Sequence, residues 1–159
     1  MGICSSNHTL SEEEVKQLYK TTKAYVPNIH KGIVVKVYDG DTITIVSMIE
    51  KKQYKFRIRL YGIDTPEMKS TKKSEIKIAR LAQQWLETRI LGKTIYLKTK
   101  GNDKYGRLLA DIYDRKNENK SLNQMLIDRR LAVQYDGGTK TNVKNWETYY
   151  KMGLIYKRI

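Results

Sequence analysis

Cysteine and histidine are almost missing from this chain of 159 residues: Cys4 stands alone, and His8 and His30 are the only histidines. A single cysteine excludes an internal disulfide, and without Cys/His sets no zinc centre of the usual tetrahedral kind can form. Any metal is therefore held by oxygen, which narrows the choice to calcium, magnesium or manganese. Long apolar runs are missing too. The longest apolar-rich stretch, Thr42 to Ile49, is far too short to span a bilayer, and the amino terminus lacks the continuous apolar core of a secretory signal. The expected location is intracellular, without export. Acidic residues are in deficit, with 17 aspartates and glutamates against 31 lysines and arginines, a formal net charge of +14. That excess favours a polyanionic partner, nucleic acid or anionic lipid, without choosing between them. No internal repeat or low-complexity tract is visible.

What is present suffices for one folded domain, since a hydrophobic content of 40% rules out a wholly disordered chain. Met1-Gly2-Ile3-Cys4-Ser5-Ser6 fits the pattern in which Gly2 is exposed and acylated with myristate, and Cys4 is placed to take a palmitate. One myristoyl chain holds a protein to a membrane only marginally, so attachment to the cytoplasmic face needs the second chain or the basic surface, both of which are available. Ser11-Glu12-Glu13-Glu14 reads as a capping box opening a short helix through about Lys23, and Pro27 follows it. Residues 1–31 are thus expected to form a leader and 32–159 the domain.

From Gly32 the hydrophobic period becomes two. Ile33, Val35 and Val37 alternate with Val34, Lys36 and Tyr38; Ile43 and Ile45 follow suit, then Tyr54, Phe56, Ile58 and Leu60. Asp39-Gly40 predicts a two-residue hairpin between the first two of these strands, and Ser47 to Gln53 a looser second turn. Ile78, Leu81, Ala82, Trp85 and Leu86 share one helical face, with Gly92 where that helix stops. Two more strands bury Ile95 and Leu97, then Leu108, Ala110 and Ile112. Ser121-Leu122-Asn123-Gln124 reads as a second capping box, opening a helix that buries Leu122, Met125 and Leu126. A last helix carrying Trp146, Tyr149, Tyr150 and Leu154 would cover the barrel. The fold class is α+β, with strand and helix order βββ-α-ββ-α, that of a five-stranded OB-fold barrel with a C-terminal helix and a short helical leader.

On this frame the polar residues fall at strand ends. Asp41 begins the second strand and Asp64 lies just past the third, so barrel closure brings both carboxylates to one rim, an oxygen site of moderate affinity for a hard cation. Pro66 restricts Thr65 to an extended backbone and sets the angle between Asp64 and Glu67. Glu67 is then placed to take a proton from a water beside the metal, while Arg59 and Arg107 brace a phosphate with guanidinium forks that keep their charge at any working pH. Taken singly, each segment is an ordinary turn, loop or hairpin. Their order on an OB-type frame is what points to phosphodiester hydrolysis.

Val37-Tyr38-Asp39-Gly40-Asp41-Thr42, Arg59-Leu60-Tyr61-Gly62-Ile63-Asp64-Thr65-Pro66-Glu67 and Asp103-Lys104-Tyr105-Gly106-Arg107-Leu108-Leu109-Ala110 together resemble the staphylococcal nuclease family, over Gly32 to Tyr135. The resemblance implies a calcium-dependent endonuclease that cuts DNA and RNA with little sequence preference and leaves 3′-phosphate ends. It implies Ca2+ ligation by Asp41, Asp64 and the Thr65 carbonyl, general-base work by Glu67, and phosphate contact by Arg59 and Arg107. Asp39 corresponds to a supporting acid near the metal, Lys104 and Tyr105 to contacts with a terminal phosphate, and Tyr135 loosely to a base-stacking tyrosine. Arg57 lies on the same strand face as Arg59, and spacing to Asp64 selects Arg59. Arg130 stands where the family commonly has glycine. DNA and RNA are the expected partners, with a membrane surface if the terminus is acylated, no protein partner, and a monomer. Two other functions compete: a catalytically inactive nucleic-acid-binding module and an acylated membrane-surface adaptor. The first goes with loss of the carboxylates, whereas Asp41, Asp64 and Glu67 are all present here, and the second would not need Glu67.

Overall fold

Ser11 opens helix α1 (Glu12–Thr21) with the expected reciprocal bonds, its hydroxyl accepting from the Glu14 N–H at 3.3 Å and its own N–H donating to the Glu14 carboxylate at 2.8 Å. Described here by a computed structural model, the chain is defined at residues 9–138 and 143–155. Strands β1 (Lys31–Val37), β2 (Thr42–Ile49) and β3 (Lys52–Leu60) form an antiparallel meander, followed by the short β4 (Ile63–Asp64) and helix α2 (Lys73–Ile90). Strands β5 (Thr94–Asn102) and β6 (Leu108–Tyr113) pair antiparallel. Helix α3 (Leu122–Asp128), strand β7 (Val133–Gln134) and helix α4 (Trp146–Ile155) complete the order.

The barrel closes in the order β1-β2-β3-β6-β5, and its one parallel contact sets Ile58, Leu60 and Arg59 of β3 against Leu108, Ala110 and Leu109 of β6. Inward faces alternate because side chains on a strand point to opposite sides: Ile43, Ile45, Ile58, Leu60, Ile95, Leu97, Ala110 and Ile112 are all buried. Helix α2 closes the core with Ile78, Ala82, Leu86 and Ile90, α3 with Leu122 and Leu126, and α4 with Trp146. Each large side chain fully withdrawn from water contributes roughly 2 kcal/mol, so this cluster holds the barrel ends in register. The α+β, OB-type barrel expected from the periodicity is the fold observed.

Several local expectations are corrected. The Ser47–Gln53 turn is not loose: β2 runs to Ile49, β3 starts at Lys52, and Glu50 and Lys51 make a two-residue connection with φ of 48° and 66°. Lacking Asn or Gly, this hairpin carries no turn signal. Conversely, Asp39-Gly40 is the centre of a wider turn, in which Tyr38 N–H donates to the Thr42 carbonyl at 2.9 Å and Asp41 N–H to the Asp39 carboxylate at 3.0 Å. The alternation in β1 breaks at a bulge between Val34 and Lys36, so Val34 and Val37 face inward while Ile33 and Val35 are exposed. At Ser121 only half of the capping box forms; the Gln124 amide donates to Asp128 instead. The β4–β7 ladder, with Ile63 opposite Gln134 and Asp64 opposite Val133, was not expected from periodicity at all.

Candidate active site

Asp41 sits where the β1–β2 turn enters β2, and α2 clamps that turn from behind. The Gln83 amide donates to the Val37 and Tyr38 carbonyls at 3.3 and 3.0 Å. Gly40 allows the close approach, since a Cβ there would lie 2.8 Å from the Ala82 Cβ and 2.9 Å from the Thr65 Cγ2. Asp64 enters from β4, which β7 pairs and holds. Arg59, two residues from the start of the β3–β4 turn, completes the junction: its Nη1 lies 2.9 Å from Asp41 Oδ2 and its Nη2 3.2 Å from Asp64 Oδ1. One guanidinium therefore bridges two carboxylates that are 6% and 7% exposed.

Hydroxyl and amide groups fix the Asp41 carboxylate. Thr65 donates to its Oδ2 from the backbone N–H at 3.1 Å and from the hydroxyl at 2.8 Å, and Thr42 Oγ1 donates to its Oδ1 at 3.0 Å. Burial pushes the Asp41 carboxyl up to about 6; the Arg59 guanidinium opposes that rise, neighbouring Asp39 adds to it, and the Thr65 hydroxyl opposes it. Among the described residues no three His, Cys, Asp or Glu side chains gather into a metal-binding cluster. The donor set is two carboxylates with Thr65 oxygen. An all-oxygen set that includes a buried carboxylate fits a hard divalent cation completed by carbonyl and water.

A cavity of about 580 Å³ opens over this junction. Its walls bring together every predicted residue of the barrel: Asp39, Asp41, Arg59, Asp64, Thr65 and Glu67 on one side, Lys104, Tyr105, Arg107 and Tyr135 on the other. Gly2 and Cys4 lie outside the described residues. Glu67 is exposed on the rim, and its backbone is held from α2, where the Glu75 carboxylate accepts from the Glu67 N–H at 3.2 Å and from the Ser70 hydroxyl at 2.7 Å. Arg107 is tethered to Asp103, Nε to Oδ2 at 2.6 Å. Burial alone would raise Asp103, but hydrogen bonds from the Arg107 backbone and side chain and from the Tyr105 N–H outweigh it and hold the carboxyl below its ordinary value. Arg57 lies over the Tyr38 ring, and the ion pairs of the junction are made by Arg59.

Besides Gln83, two supporting residues escaped the sequence reading. Glu75 is one, hidden among the charged residues that open α2. Asn123 is the other: only 3% exposed, it donates to the Tyr61 and Ala110 carbonyls at 2.8 and 3.1 Å and accepts from the Ile112 N–H, tying α3 to β6 and to the turn that delivers Asp64. An asparagine amid the apolar residues of a short helix was the available signal.

The family model for staphylococcal nuclease homologues matches residues 57–153, more than half of the chain. The chain belongs to the staphylococcal nuclease family. Among similar proteins is one described as an uncharacterized endonuclease of Escherichia coli O157:H7, 32% identical over 109 residues, covering 69% of this chain and 63% of that protein. A probable endonuclease of Saccharomyces cerevisiae (strain RM11-1a) is 33% identical over 96 residues, 59% of this chain and 35% of the yeast protein. An uncharacterized endonuclease of Haemophilus influenzae is 32% identical over 102 residues, 64% of this chain and 51% of the other. The chain therefore spans less than two thirds of the length of each of these relatives. Where the staphylococcal nuclease pattern has glycine, Arg130 keeps the left-handed backbone at φ 54° and lays its guanidinium 5.1 Å from the Tyr149 ring of α4.

Proposed function

We propose that this chain is a calcium-dependent endonuclease that hydrolyses phosphodiester bonds of DNA and RNA with little sequence preference and leaves 3′-phosphate ends. The observation that carries the reading is the Asp41–Arg59–Asp64 junction, an oxygen-rich pair of buried carboxylates at the floor of a cleft walled by Glu67 and Arg107. Family membership and the names of the relatives support the same reaction class. Asp41, Asp64 and Thr65 would hold the calcium ion, which when bound supplies positive charge at the phosphate oxygens and beside the attacking water.

Glu67, exposed at the rim, accepts the proton as water attacks phosphorus. The bond to the 5′ oxygen breaks, the 5′ oxygen takes up a proton, and the phosphate stays on the 3′ side. Arg59 and Arg107 are charged throughout and stabilise the extra negative charge that builds on the phosphate oxygens in the transition state. Their carboxylate partners orient both arginines in advance, so little reorganisation is needed during reaction. Lys104 and Tyr105, at the tip of the β5–β6 hairpin, contact the flanking phosphate.

The test is cleavage of single-stranded DNA by the full chain and by Glu67→Gln. The variant should lose roughly 100-fold or more, the usual worth of a positioned base, with an unchanged melting temperature. Wild-type products should accept polymerase extension only after phosphatase treatment. Full activity of the Glu67 variant would remove the mechanism, and directly extendable ends would overturn the product assignment.

A further inference from the structure

Lys36 and Arg57 are cations that the chemistry above leaves unused. Strand register sets Lys36 of β1 opposite Thr44 of β2, and Thr44 opposite Arg57 of β3, so the three form one row across the outer face of the meander. The next row on that face holds Thr42 opposite Arg59, and both of these line the cleft. Successive same-face residues of a strand lie about 7 Å apart, the order of one step along an extended nucleotide strand. Tyr38 joins the two rows: it lines the cleft, and its ring centroid lies 4.4 Å from Lys36 Nζ and 4.6 Å from Arg57 Cζ.

Both cations are exposed, and neither forms an ion pair among the described residues, whereas Arg59, Arg89 and Arg107 each meet a carboxylate. Two like charges gathered on one ring repel each other, and an anion shared between them relieves that repulsion. The Thr44 hydroxyl, opposed by burial and reinforced by the Lys36 and Arg57 charges, holds the Tyr38 phenol below its ordinary value, in keeping with a crowded cationic neighbourhood. A flat lipid surface would not follow the step from this row to the next one, which lines a concave cleft. An extended strand would.

We propose that Lys36 and Arg57, positioned by the Tyr38 ring, form a phosphate subsite that holds single-stranded nucleic acid one step beyond the cleft. The proposal rests on the nuclease reading for the direction of the strand, but it is tested without cleavage. The full chain is titrated, in chelator, with a fluorescent oligothymidylate of about 12 nucleotides, within the footprint of one OB-type barrel, over a range of salt concentrations. Each lost phosphate contact should flatten the slope of log affinity against log salt by about 0.7, so Lys36→Ala with Arg57→Ala should flatten it by about 1.4. Tyr38→Ala should weaken binding in the same way, and Tyr38→Phe, which keeps the ring, should restore it. Lys116→Ala with Arg115→Ala removes the same two charges from the segment between β6 and α3, outside both rows, and should leave the slope alone. An unchanged slope in the Lys36 and Arg57 variant, a wild type that does not bind, or a Lys116 and Arg115 variant that flattens the slope equally would overturn the subsite. Loss of binding to phosphatidylserine vesicles with an unchanged oligonucleotide slope would overturn it too, assigning the row to lipid headgroups. These outcomes are separate from Glu67→Gln cleavage, whose failure would strike the mechanism and leave the binding result standing.

Discussion

Asp41 carries a conflict between burial and charge. In the folded chain its proton is held until about pH 6, against 3.8 for the unconstrained group. Between those values the unfolded chain has already released the proton while the folded chain keeps it. Folding there takes up a proton, so stability falls as pH rises through the window, by on the order of 3 kcal/mol for a shift of roughly two units. Asp41→Asn has no such titration. Measured by urea unfolding in chelator, wild type should lose stability relative to this variant between about pH 4 and about pH 6. Parallel pH profiles for the two proteins would show that Asp41 is not under strain. Glu75 acts on the same scale by a different route, since it holds the Glu67 backbone rather than meeting a substrate. Glu75→Ala should therefore lower the rate at saturating substrate with little change in KM, and a loss confined to KM would contradict that role.

At the level of elements, the Glu50-Lys51 turn stores strain that the molecule does not need. Two-residue hairpins with positive φ at both positions favour Asn-Gly, and here both positions carry ordinary side chains. Replacing the pair with Asn-Gly should stabilise the protein by about 1 kcal/mol, read as a higher urea midpoint at unchanged slope; no shift would mean the turn is relaxed as it stands. This turn also shows where sequence reading stops. Strands with unbroken alternation, such as β6 with Leu108, Ala110 and Ile112, were legible because their period matches the pleat. Strand β1 was misread at its bulge, where Ile33 and Val35 swing outward, and β4 and β7 are too short to show any period. The carboxylates and arginines of the cleft were legible as turn and strand-end chemistry. The Thr65 hydroxyl lock on Asp41 and the Asn123 bracket were not, because each depends on a partner distant in the chain that only the closed barrel supplies.

For the whole molecule, the parallel β3–β6 contact turns a set of separate strand ends into one cleft. It sets Arg59 beside Leu109, two residues past Arg107, and so carries the β5–β6 hairpin to the rim where Asp41 and Asp64 meet. A net charge of +14 over the whole chain suits the polyanionic substrate proposed and makes its capture sensitive to salt. The central claim is that distant acidic and guanidinium groups serve one divalent cation and one phosphate. Its most direct measurement is calcium-titrated cleavage of single-stranded DNA by the full chain. Cleavage should climb with calcium to a plateau, vanish on adding chelator and return when calcium is restored in excess. Cleavage that persists undiminished in chelator, or none at any calcium concentration, would contradict the account.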